Sequence, residues 1–100
     1  MGATRRASLA PSAVVDLEGI RSRHADQQAP EVGERLVREI VETVLRLADF
    51  PESGRVVPEF GLAQLREIIH PPFRIVYRLV EDRIRVVRVW RSGRLLDLPT

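Results

Sequence analysis

The sequence predicts an α+β domain in which an antiparallel helical hairpin covers one face of a small, twisted antiparallel β-sheet. Three observations predict it. Apolar residues recur at three- and four-residue steps in the first half of the chain, they alternate with polar residues in the second half, and a two-residue turn joins the last two alternating segments. With 100 residues, of which 44% are hydrophobic, we expect one folded domain spanning residues 1–100.

The first half predicts a strand followed by two helices. A short strand is expected from about Arg5 to Leu9, and a helix from near Pro11, since proline suits the first helical turn, to about His24. The polar, proline-terminated run Ala25–Pro30 predicts a turn, and a second helix is expected from Glu31 to about Asp49. The apolar stripe of that helix comprises Leu36, Val37, Ile40, Val41, Val44, Leu45 and Ala48.

The second half predicts three strands, Leu65 to Ile69, Phe73 to Val80 and Arg83 to about Trp90, with Glu81-Asp82 at the tip of a hairpin. Alternation divides the middle strand into two faces. One face carries Phe73, Ile75, Tyr77 and Leu79, and the other carries Arg74, Val76, Arg78 and Val80. We expect Tyr77 in the core and the arginine-bearing face open to water or to a partner.

Composition excludes several classes of function. The chain has no cysteine, which excludes disulfides, cysteine-based zinc sites and thiol nucleophiles. Two distant histidines, His24 and His70, do not make a metal site, and we expect no cofactor. No apolar run approaches the roughly 20 residues of a membrane span, and no apolar segment follows Arg5-Arg6 as in a signal peptide. We therefore expect a cytoplasmic protein.

The basic residues suggest a binding surface. All 16 are arginine; residues 1–50 have a net charge of −1 and residues 51–100 a net charge of +3. Arginine binds phosphate and carboxylate groups bidentately, which suits nucleic acid or an acidic partner. The codon bias of a GC-rich genome would also explain an excess of arginine, and composition does not separate the two explanations.

Several segments carry a resemblance to a known family. They are Asp16–Ile20, Leu47–Arg55, Leu65–Ile68, Phe73–Arg78 and Ile84–Arg91, and in this order and spacing the chain resembles the RelE/ParE toxins of bacterial type II toxin–antitoxin systems. The resemblance implies the fold predicted above. It also implies a cognate antitoxin, a second small protein that masks the basic surface of the toxin.

Two branches of that family imply different activities. The ParE-like branch implies an inhibitor that binds DNA gyrase and needs no catalytic group. The RelE-like branch implies a ribosome-dependent mRNA endonuclease, for which Arg74, Arg94 and Glu67 would be the catalytic candidates. The nuclease branch has a late aromatic or histidine residue, whereas the segment after Arg94 has none, so the ParE-like branch is favoured.

The candidate residues for binding the target or nucleic acid are Arg74, Arg78, Arg88, Trp90, Arg91 and Arg94. We expect Arg74 and Arg78 to project in parallel from the open face and Arg88 to join them from the neighbouring strand. Each residue also has a structural interpretation: the arginines pair with acids of the chain itself, Glu67 neutralises a neighbouring arginine, and Trp90 closes the core.

Overall fold

A computed structural model describes residues 7–81 and 83–92. Two helices lie against a five-stranded sheet with the order β1-β5-β4-β3-β2. The elements are β1 (Ala7–Leu9), α1 (Pro11–Asp26), α2 (Pro30–Asp49), β2 (Arg55–Val56), β3 (Leu65–His70), β4 (Phe73–Val80) and β5 (Arg83–Arg91).

The predicted α+β fold class is confirmed. Both helices begin with a proline in the first turn, as the sequence predicted for α1. The two-residue strand β2 was not predicted, because two residues are too few to show an alternating pattern. The expected strand start at Arg5 lies outside the described residues.

The sheet is mixed rather than wholly antiparallel. β2, β3, β4 and β5 pair antiparallel in sequence order, but β1 pairs parallel with β5, with Ala7 opposite Ile84 and Leu9 opposite Val86. A parallel neighbour needs a long connection, and here α1, α2 and the strands β2 to β4 all lie between β1 and β5 in the chain. β1 and β2 are therefore the two edge strands.

The beginning of α1 continues along β5 where β1 ends. The Ala10 N–H donates to the Val86 carbonyl (2.8 Å), and the Ser12 hydroxyl donates to the Val87 carbonyl (2.6 Å). One turn later, Asp16 Oδ2 accepts the Val89 N–H (2.8 Å). Side chains of α1 thus satisfy backbone groups of β5 that lie beyond the reach of β1.

The main core lies between the helices and one face of the sheet. Tyr77 is fully buried, which confirms its predicted place in the core. Leu45, expected in the apolar stripe of α2, is instead 41% exposed. The core comprises Ala13, Leu17, Ile20, Ile40, Val44, Leu47, Phe73, Ile75, Tyr77, Ile84, Val86 and Val89.

The opposite face of the sheet is only partly open. A second apolar cluster covers part of it and comprises Ala10, Val57, Leu65, Val76, Val87 and Trp90. Val57, in the loop after β2, is completely buried and its N–H donates to the Leu65 carbonyl (3.1 Å). The expectation of an open face is therefore wrong for this part, because the alternating pattern of a strand does not reveal which loop packs over it.

The loop after α2 is fixed to the sheet by one buried tyrosine. The Tyr77 hydroxyl donates to the Pro51 carbonyl (2.7 Å) and accepts the Gly54 N–H (3.0 Å). A Cβ atom at Gly54 would lie 2.5 Å from the Tyr77 oxygen, so only glycine fits this close approach. Burial raises the pKa of Tyr77 above its ordinary value.

In the described part of the chain, neither helix combines the length and the apolar character needed to cross a membrane.

Candidate functional site

An ion-pair network links the loop that joins β2 to β3 with the sheet, and its members are Arg55, Glu59, Glu67 and Arg74. Glu67 and Arg74 are buried, whereas Arg55 and Glu59 are exposed; we call it the buried network after its central pair. The Glu67 side chain has no exposed surface. Its Oε1 accepts the Arg74 Nε–H (2.7 Å), and its Oε2 accepts the Arg55 Nε–H (2.6 Å). Arg74 also donates through both terminal nitrogens to the two oxygens of Glu59, each at 3.0 Å.

Each charged group of the network is paired with an oppositely charged group of the same network. The Glu59 carboxylate, followed by that of Glu67, raises the pKa of Arg74, although desolvation opposes this. The hydrogen bonds from Arg74 lower the pKa of Glu59. Two carboxylates and two guanidinium groups alternate, so each buried charge has an oppositely charged partner.

Arg74 and Glu67 therefore do not lie where the sequence placed them. Arg74 was expected to be exposed, but it is only 8% exposed, and Glu67 is 1% exposed. Glu67 does neutralise an arginine, as one interpretation held, but its partners are Arg74 and Arg55 rather than its neighbour Arg66. With both oxygens of Glu67 engaged, neither oxygen is free to take a proton from a substrate.

The exposed part of the same sheet face carries three arginines, and we call this surface the arginine face: Arg78, Arg83 and Arg85. Arg78 lies directly opposite Arg85, and Arg83 lies opposite Val80 at the tip of the hairpin. All three are exposed. Arg85 donates to the Ser8 hydroxyl (3.3 Å), and none of the three makes an ion pair with a carboxylate of the described residues.

Three further predicted residues, Arg88, Trp90 and Arg91, lie in a groove of about 320 Å³ between α1 and the end of β5. The Arg88 guanidinium donates to both oxygens of Asp16 (2.8 and 2.9 Å) and lies 4.5 Å from the centroid of the Trp90 ring. Trp90 is only 7% exposed and closes the second apolar cluster.

Arg88 shares a sheet face with Arg74, as expected, because of a register irregularity. A shift beside Val76 and Tyr77 brings Arg88 opposite Val76. Its guanidinium is nevertheless drawn to Asp16 on α1, so Arg88 does not join Arg78 on one surface. Arg91 is exposed, with its guanidinium 5.9 Å from the centroid of the Phe73 ring.

The structure thus divides the predicted surface among three places: the buried network, the arginine face and the groove beside α1. Arg94 lies outside the described residues. No group of three or more potential metal ligands occurs in residues 7–81 and 83–92.

Sequence reasoning missed Arg83 and Arg85 as members of the site and Glu59 as a partner of Arg74. The signal for Arg85 was available: counting back from the two-residue turn at Glu81 places Arg78 opposite Arg85. The pairing of Glu59 with Arg74 depends on how the loop before β3 folds, and no local pattern in the sequence encodes it.

Comparisons with known proteins agree with this architecture. A toxin–antitoxin structure described as the chromosomal ParDE system from P. aeruginosa matches with a TM-score of 0.71 and 24% sequence identity, covering 85% of this chain and 92% of the matched chain. That likeness shows the fold. No protein with a curated description is significantly similar in sequence. The family model of the ParE toxin of the parDE type II toxin–antitoxin system matches residues 7–96. The chain therefore belongs to the ParE toxin family.

Proposed function

We propose that the protein is a toxin that binds DNA gyrase directly, inhibits it without a catalytic step of its own, and is neutralised by a cognate antitoxin. The observation that carries the proposal is the arginine face, an exposed basic surface whose three guanidinium groups have no carboxylate partner among the described residues. A surface of this kind suits docking on a larger partner. Gyrase acts on DNA in the bacterial cytoplasm, so we propose a cytoplasmic location.

The contacts of the nuclease candidates support binding over RNA cleavage. A ribosome-dependent nuclease would use Glu67 as a proton-transfer group and Arg74 as a phosphate ligand. Both are engaged in the buried network, and Glu67 has no exposed side-chain surface. Freeing either residue would require breaking short, charge-assisted hydrogen bonds.

A gyrase supercoiling and DNA-cleavage assay with the purified protein tests the proposal, run beside a ribosome-dependent mRNA cleavage assay. We expect loss of supercoiling, accumulation of cleaved DNA and intact mRNA. Arg78→Ala/Arg85→Ala should weaken inhibition, whereas the control Arg38→Ala/Arg46→Ala removes the same charge from exposed positions of α2 and should not. Positioned cuts in mRNA with unaffected gyrase would overturn the proposal in favour of the nuclease branch.

We place the antitoxin at the edge of β1. Within residues 7–81 and 83–92, β1 ends the sheet and no described strand pairs with its outer backbone groups, which suits the addition of a further strand. Beside that edge, β1 and α2 enclose an apolar cavity of about 150 Å³ lined by Ala7, Ser8, Leu9, Val41, Val44 and Leu45. On the other face of the same edge, Ser8 contacts Arg85.

These features specify the chemistry of the antitoxin segment. An added strand would direct alternate side chains to the two faces of the sheet. One set would meet the apolar cavity and the other would approach Arg85. We therefore expect an extended segment in which apolar residues alternate with Asp or Glu.

A growth assay with both proteins expressed together tests this placement. Leu45→Arg should leave the toxin active but weaken its neutralisation, because Leu45 lines the cavity. Leu62→Arg is the matched control, since Leu62 is similarly exposed (47% against 41%) but lies in the loop before β3. Equal neutralisation of the two variants would contradict antitoxin binding at β1.

A further inference from the structure

We infer that the arginine face binds the phosphate backbone of duplex DNA, so that the toxin recognises gyrase together with the DNA that gyrase holds. The part concerning gyrase rests on the function proposed above. The part concerning DNA rests on the arginine face alone and is tested separately.

The geometry of the arginine face favours a ligand with several negative charges. Arg78 and Arg85 are directly opposite on neighbouring strands, which places their Cβ atoms about 4.5–5.5 Å apart. Arg83 lies two residues before Arg85 on the same side of β5, roughly 7 Å along the strand. Like charges at this spacing repel each other, and a polyanion bound across them would remove that repulsion.

The residues around the arginines favour phosphate contacts over base contacts. Val80 lies opposite Arg83, and the Ser8 hydroxyl accepts a hydrogen bond from Arg85; a serine hydroxyl is itself a common phosphate ligand. Tyr77 and Trp90 are buried, so neither ring offers a surface on which an unpaired base could stack. These features fit contact with a duplex backbone that is independent of base sequence.

Direct binding is measured by fluorescence anisotropy with a labelled duplex of arbitrary sequence. Three phosphate contacts predict a slope of log K against log salt concentration of about −2.7, and thus about a 40-fold loss of affinity between 50 and 200 mM salt. For Arg78→Ala/Arg85→Ala the slope should become shallower, about −0.9, and the loss of affinity over the same salt range should shrink to about 3–4-fold. Arg38→Ala/Arg46→Ala, which removes equal charge from α2, should keep the wild-type slope.

The contribution of DNA to gyrase recognition is measured with purified gyrase in the presence and absence of linear duplex. We expect wild-type toxin to bind the gyrase–DNA complex more tightly than gyrase alone, and Arg78→Ala/Arg85→Ala to bind both equally. Thermal melting of the double variant near the wild-type temperature would confirm that it is folded.

Three results would overturn the inference. The first is that the wild-type protein does not bind duplex DNA, and the second is that Arg78→Ala/Arg85→Ala leaves the salt slope unchanged. The third is that the toxin binds gyrase equally with and without DNA, which would make the partner of the arginine face an acidic protein surface. DNA binding through the arginine face without any effect on gyrase would instead refute only the proposed target.

Discussion

Replacing Arg74 should destabilise the protein far more than replacing Arg78, although both residues lie on the same face of β4. Removing one partner of a buried ion pair costs about 3–5 kcal/mol, because a charge is left buried without compensation. In Arg74→Met, Glu67 keeps its hydrogen bond from Arg55 on its other oxygen. We therefore expect the free energy of unfolding to fall by about 3 kcal/mol, the lower end of that range. For a domain of this size, that corresponds to a fall in Tm of about 12–24 °C.

Denaturant unfolding and thermal melting measure this difference, with Arg78→Met as the control at an exposed position. The control should change stability by less than about 0.5 kcal/mol. A double-mutant cycle isolates the pair: Arg74→Met/Glu67→Met removes both buried charges and should be less destabilised than either single variant. Two outcomes would refute this reasoning: Arg74→Met lowers the free energy of unfolding by less than about 1 kcal/mol, or the effects of the two substitutions are additive in the double variant.

Three further predictions follow from particular contacts. Tyr77→Phe leaves the Gly54 N–H without its partner, so unfolding should become easier by about 1–3 kcal/mol in urea; an unchanged midpoint would contradict this. Because Arg74 lowers the pKa of Glu59 below its ordinary value of 4.5, the stabilisation from that pair is present above pH 4.5 and is lost as the pH falls further. The difference in Tm between wild type and Glu59→Gln should therefore shrink in acid, and a difference that is independent of pH would contradict the assignment. Glu81 has a positive φ of 56°, which asparagine tolerates better, so Glu81→Asn should raise stability by about 0.5–1 kcal/mol in thermal melting, and a lower Tm would contradict it.

The fold was largely predictable because its elements are marked locally. The prolines at the start of each helix, the apolar stripe of α2 and the alternation around Tyr77 each act within a few residues of the chain. Each signal concerns one element and its own buried face. The same information does not say what covers the second face of a sheet, which is why Val57 and its loop were not anticipated.

The candidate site was less predictable because arginine has the same appearance in a sequence whether it is free or paired. Arg74 and Arg78 occupy equivalent positions in the alternating pattern of β4, yet one binds two carboxylates and the other binds none of those described. What separates them is the position of Glu67 on β3 and that of Glu59 in the loop before it, fifteen residues before Arg74. Only the folded chain brings these carboxylates to one guanidinium and not to the other.

The contacts between α1 and β5 have a consequence for the order in which the protein folds. Ala7 pairs with Ile84, and the hydrogen bonds of Ser12 and Asp16 to β5 span 75 and 73 residues of chain. Closing loops of that length is entropically costly and slows folding relative to domains built from local contacts. β5 is also the strand that joins β1 to the rest of the sheet. A nascent chain that has not yet supplied β5 therefore cannot complete the sheet, and the arginine face forms only after β5, which carries Arg83 and Arg85, has been synthesised.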